Sequence, residues 1–185
     1  TTIVLDRPGW IRSSCESFGG LFGQPGGGRG RAVVAGAETG ALLGLLAGRV
    51  LGQFDPWAQR LVLGAPNVLM AQRKMEVAAD PFHLWVCLHE ETHRLQFTAA
   101  PWLTEHITVA ARELLEHVEP DWAVMMRTIG SMIRGEKASA ADVIGSNPRA
   151  AASMDRVTAV MSLLEGHADV MMDRVGPGVV PGLGR

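Results

Sequence analysis

Tyrosine is absent from this 185-residue chain, cysteine occurs twice and aromatic residues make up only 5% of it. The two thiols, Cys15 and Cys87, lie far apart with no Cys-x-x-Cys spacing. They are too few to staple a secreted mini-fold or to build a thiolate zinc knuckle, so a reducing, cytoplasmic setting is expected. An excess of one charge is lacking too. Seventeen Lys and Arg oppose 19 Asp and Glu for a net −2, which gives no field able to gather nucleic acid or anionic lipid, and neither is expected as a partner. No N-terminal segment has the basic, apolar, small-residue order of an export signal. What is present is 47% apolar and 19% charged residues with a mean hydropathy of +0.13, enough to offset the entropy of ordering a core. The length suits one domain, expected over residues 1–185.

The pattern is mostly helical. Asp6 as cap and Pro8 in a first turn predict a short helix over 6–17, ended by a glycine-rich loop over 19–30. That loop has neither the Lys-Ser/Thr ending of a phosphate cradle nor a strand pattern before it. Residues 32–52 are almost continuously apolar, with Gly36, Gly40, Gly44, Gly48 and Gly52 four apart, and read as a closely packed helix. A membrane span is the rival there, but the apolar stretch is barely long enough and carries Glu38, with Arg49 following. Residues 61–70 read as two short extended pieces around a turn at Gly64-Ala65-Pro66-Asn67. Helices are predicted over 81–99, 101–117, 120–134 and 148–175, with Asp80-Pro81 and Asn147-Pro148 as cap-and-proline openings. Residues 135–146 are a polar connection, and the glycines and prolines after residue 175 end the last helix.

One segment carries chemistry. His89-Glu90-Glu91-Thr92-His93 is an HExxH sequence on the 81–99 helix, where residues four apart share a face, so both imidazoles can ligate one ion with Glu90 beside them. Phe82, Trp85, Val86, His89, His93, Gln96 and Phe97 recur at spacings of three and four, placing the histidines in the apolar stripe. Two core imidazoles and a carboxylate are costly without compensation, and a divalent cation supplies it. Zinc suits this donor set.

Catalytic zinc takes three protein ligands. A metzincin would have Gly and His where this chain has Gln96 and Ala99, which excludes that class. The best source for the third ligand is Leu163-Leu164-Glu165-Gly166-His167-Ala168-Asp169, with two carboxylates four apart. Glu165 can ligate the ion, and Asp169 can accept the other ring N–H of a ligating histidine. The same carboxylates also fit an ordinary solvated face with Asp155, Thr158, Ser162 and Asp173. His167 points nearly opposite to Glu165 and is read as a substrate-contacting catalytic residue instead of a ligand. Cys87 is read as packing.

The HExxH sequence followed by a helical Glu-x-x-x-Asp resembles the gluzincin branch of zinc metallopeptidases. Residues 50–55, Ala65-Pro66-Asn67, 84–97 and 163–169 are similar more specifically to the zincin-like family associated with deazaflavin-coenzyme biosynthesis. The resemblance implies a mainly α, zincin-like helical domain with at most a small β-hairpin, truncated or lacking loops relative to longer members. It also implies a zinc-dependent hydrolase acting on a peptide or small amide, with His89, His93 and Glu165 as metal ligands, Glu90 as general base and Asp169 behind the ligands. Many gluzincins use Tyr or His to stabilise the oxyanion. With no tyrosine here, either His167, His83, His106 or an arginine has to serve or that part of the site is missing. The rival from another class is a non-catalytic helical module that binds metal or a partner.

Overall fold

A computed structural model describes residues 1–22, 43–44, 46–117, 130–131 and 148–181. They form β1 (Thr2–Leu5), α1 (Arg7–Phe22), β2 (Gly52–Asp55), β3 (Arg60–Gly64), α2 (Ala65–Met75), α3 (Ala79–Ala99), α4 (Trp102–His117) and α5 (Pro148–Val175). The mainly α class is as expected. The described chain falls into two compact units, Thr1–Thr104 with Leu164–Arg185, and Glu105–Leu163. In the second unit Arg156 pairs with Glu113 and also donates to Ser153 Oγ at 3.1 Å.

The sheet lies in the first unit, in the order β1-β3-β2, with β1 parallel and β2 antiparallel to the central strand. Its side chains alternate between two helical layers, as the two-residue period of a strand requires. Val62 turns towards Trp10 of α1, Leu43 and Ala47. Leu63 turns the other way, against Val68, Phe82 and Val86 of α2 and α3. Their cross-strand neighbours follow suit. Gln53, paired with Val62, accepts from Trp10 Nε1 at 3.0 Å. Phe54, paired with Leu61, meets Phe97 of α3 at 5.8 Å between ring centroids. The β2–β3 turn is fastened by Asp55, 1% exposed, which accepts from the backbone of Trp57 and Ala58 and from Ser17.

Helix starts explain most departures from expectation. Asp6 does cap α1, its Oδ1 accepting from Gly9 N–H at 2.7 Å. The helix then continues through Gly19 and Gly20 to Phe22, past the expected loop boundary. Gly64-Ala65-Pro66-Asn67 is the opening of α2, with Pro66 in its first turn, so only the first of the two pieces expected in 61–70 is a strand. Proline with small and polar residues serves a turn and a helix N-terminus equally well. Buried Asn67 decides for the helix: its Nδ2 donates to Ala47 O at 2.6 Å and Val50 O at 2.7 Å, and its Oδ1 accepts from Arg7 Nε at 3.0 Å. Asp80 does not cap α3 but sits inside its first turn, where a carboxylate favours the helix dipole.

Within 32–52 only the end is described. Leu43, Gly44 and Leu46 are helical, while Gly52 opens β2 and is not part of a helix. Residues 23–30 of the glycine-rich stretch, the 135–146 connection, and all of 120–134 except helical Gly130 and Ser131, lie outside the described residues. α5 spans the expected 148–175 and ends at Gly176, whose φ of 69° takes the left-handed conformation that glycine tolerates. None of the described helices is long and apolar enough to cross a membrane.

Candidate metal centre

α3 presents His89 and His93 one turn apart, and Glu165 of α5 reaches both. His93 Nε2 lies 3.2 Å from His89 Nε2. Glu165 Oε2 is 3.4 Å from His89 Nε2, and its Oε1 is 3.6 Å from His93 Nε2. Ligands at zinc–ligand distances of ~2.0–2.2 Å on a tetrahedron are separated by about 3.3–3.6 Å, so this triplet is already spaced for one ion. It is the metal-capable cluster of His, Cys, Asp and Glu found among the described residues. The donor set also fits chemically. Two imidazole nitrogens and two carboxylate oxygens converge, and a cation relieves the mutual repulsion of their lone pairs.

The side chains differ in burial: His93 is 12% exposed, His89 16% and Glu165 51%. Burial, with the neighbouring His93 adding to it, holds the His89 pKa below its ordinary value against the pull of Glu165 and Asp169. His89 is thus kept neutral, the form that ligates. Its ring stacks on Trp85 at 5.3 Å and 25°, and Trp85 in turn stacks on Phe82. His89 Nδ1 is buried with no hydrogen-bond partner, so Asp169 acts on this ring through its charge without accepting its N–H. His93 Nδ1 instead meets Gln96 Oε1 at 2.9 Å.

Glu90 follows His89 on the buried side of α3 and is 6% exposed. Desolvation, reinforced by the Glu165 charge, pushes its carboxyl pKa up to about 8, against a stabilising N–H from Phe54. Gly52 makes this packing possible. A Cβ there would sit 2.7 Å from Glu90 Cγ and 2.8 Å from its Oε1.

His167 is exposed, with Nδ1 2.8 Å from Gln96 Nε2. His83 is exposed beside Phe82 and outside the cluster, and His106 belongs to the second unit. Cys87 is partly buried and not among the converging ligands, its thiol pKa raised by burial and then by Glu90. Sequence spacing isolates the three converging side chains but not Gly52 or Gln96. The first is visible only through tertiary contact. The second carries a local signal, since a residue three after His93 shares its face.

Across residues 1–185 the sequence matches the profile of the zincin-like metallopeptidases. The chain belongs to that family. No curated protein matches it. Among solved structures, this zincin-like chain is similar to a candidate hydrolase with a novel fold from Chloroflexus aurantiacus, with a TM-score of 0.60 and 30% identity over 97% of this chain. It spans about half of that structure, covering 52% of its length.

Proposed function

We propose that this protein is a zinc-dependent hydrolase of peptide or small amide bonds, with His89, His93 and Glu165 as ligands and Glu90 as general base. The observation that carries the reading is the convergence of those three ligands at 3.2–3.6 Å with a buried carboxylate next to one of them. Family membership and the likeness to a candidate hydrolase support it. When bound, zinc supplies Lewis acidity towards a carbonyl and lowers the pKa of its water towards ~7.

The chain's own groups do the rest. A Glu90 carboxylate oxygen takes the proton of the attacking water and returns it to the leaving amine, while Phe54 N–H steadies that carboxylate. His167, held at Nδ1 by Gln96, keeps Nε2 for donation to the developing oxyanion, the task left open by the missing tyrosine. β2 favours an extended peptide as substrate. It is an edge among the described strands, and because Leu51 O accepts from Gly64 N–H, strand alternation turns the Gly52 N–H and C=O outward, away from β3. Residues 84–97 and 163–169 extend the proposal to the deazaflavin-coenzyme-associated branch of the family, and the free thiols of Cys15 and Cys87 to a reducing cytoplasm.

The lack of tyrosine favours a second reading, a metal-holding module without turnover. Zinc content by mass spectrometry, together with turnover of a peptide-amide library, separates the two. The hydrolase reading expects bound zinc in wild type and Glu90→Gln alike, with turnover ~10²–10⁴-fold lower in the variant. Equal turnover in both removes Glu90 as the base, and zinc binding without any turnover supports the module.

A further inference from the structure

Gln96 spends every hydrogen-bonding group of its side-chain amide except one acceptor lone pair, and the result reaches the metal ligands. A backbone carbonyl can only accept, so the 2.8 Å contact with Leu164 O fixes which end of the amide is nitrogen. The second Nε2 hydrogen points to His167 Nδ1, also at 2.8 Å. Oε1 is therefore left facing His93 Nδ1 at 2.9 Å, and it can only accept. A neutral His93 must then carry its proton on Nδ1 and present a bare Nε2. That is the nitrogen lying 3.2 Å from His89 Nε2 and 3.6 Å from Glu165 Oε1. Flipping the amide would oppose two acceptors at Leu164 O and two potential donors at His93, so the arrangement locks itself.

The geometry points to Gln96 as the positioning residue that fixes His93 in its ligating tautomer and ties α3 to the carbonyl immediately before Glu165. The inference rests on the metal reading above and assigns it a control that the HExxH sequence does not contain. His89 supplies the contrast. Trp85 orients its ring by stacking, but a stacked face exchanges no proton, and its Nδ1 has no partner.

Two substitutions separate tautomer control from simple tethering. Gln96→Leu removes both acceptor and donors. Gln96→Glu keeps an acceptor for His93 Nδ1–H and loses both donated bonds. Long-range ¹H–¹⁵N spectra of the metal-free full chain read the His93 tautomer, and chelator competition with zinc alone reads affinity. Expected are Nδ1–H His93 in wild type and Gln96→Glu, mixed tautomers in Gln96→Leu, and zinc affinity about 10- to 100-fold weaker in Gln96→Leu but less weakened in Gln96→Glu, which loses the tether to Leu164 O and keeps the acceptor. Nε2–H His93 in wild type, or equal loss of affinity in both variants, overturns the inference. Failure of the metal reading looks different: the tautomers would follow Gln96, yet zinc binding would be the same in wild type, His89→Ala and both Gln96 variants. That result would sink the metal site and with it the role of Gln96 there.

Discussion

The two helices that build the centre do so under opposite conditions. α3 contributes His89, Glu90 and His93 from a face backed by Phe82, Val86 and the sheet, and these side chains are mostly buried. α5 contributes Glu165 from a stretch where Leu163 is 69% and Val170 49% exposed, and Glu165 itself is half exposed. A ligand pair on one turn of a packed helix is preorganised by packing. A ligand on an open face needs tethers, and here they are the Gln96 bond to Leu164 O and the burial of Leu164, Ala168 and Met172 next to Glu165 on α5. The contrast teaches that ligand identity and ligand placement are set by different residues.

Truncation is the strongest way to break the comparison. Phe82→Ala, beneath the His89–His93 turn, should cost about 3–5 kcal/mol of stability, whereas Leu163→Ala on α5 should stay within about 0.5 kcal/mol. Urea denaturation of both variants checks this, and similar losses would remove the distinction between a packed and an open helix. Gly52→Ala should act next most strongly, and on the site instead of the fold. The added Cβ displaces the Glu90 carboxylate, so turnover should fall about 100-fold while zinc affinity stays nearly unchanged, because the three atoms nearest to that Cβ all belong to Glu90. Turnover and zinc titration on the same variant decide it.

A pH dependence sets the buried Glu90 of α3 against the half-exposed Glu165 of α5. The folded, metal-free chain holds the Glu90 proton to about pH 8 against an ordinary value of 4.5. Its stability contribution is therefore complete below pH 4.5 and disappears as pH rises through 8. Glu90→Gln, which cannot ionise, should gain melting temperature relative to wild type between pH 5 and pH 9 in the presence of a chelator. A constant difference across that range would contradict the buried, proton-holding environment assigned to Glu90.

What could be read from sequence was what depends on local periodicity. The four-residue spacing of His89 and His93, the Glu165 to Asp169 interval and the span of α5 are properties of single helices, so they survive without knowledge of the fold. A misreading came where one local signal serves two structures, as with Pro66, and the four residues of β1 are too few to mark a strand by pattern alone. Asp169 was read as the acceptor for a ligand N–H because its spacing allowed it, while the side chain that meets His93 Nδ1 is Gln96. Gly52 could be read only as one of a run of glycines. Its meaning comes from the approach of Glu90, some 38 positions later in the chain and adjacent only after β2 docks on α3.

The central claim is that α3 and α5 close on a single ion. Anomalous diffraction at the zinc absorption edge, from crystals of the full chain soaked in zinc, tests it most directly. One strong peak within bonding distance of His89 Nε2, His93 Nε2 and a Glu165 oxygen is the predicted result. A peak at His89 and His93 with Glu165 turned away, or no peak between the two helices, would contradict it.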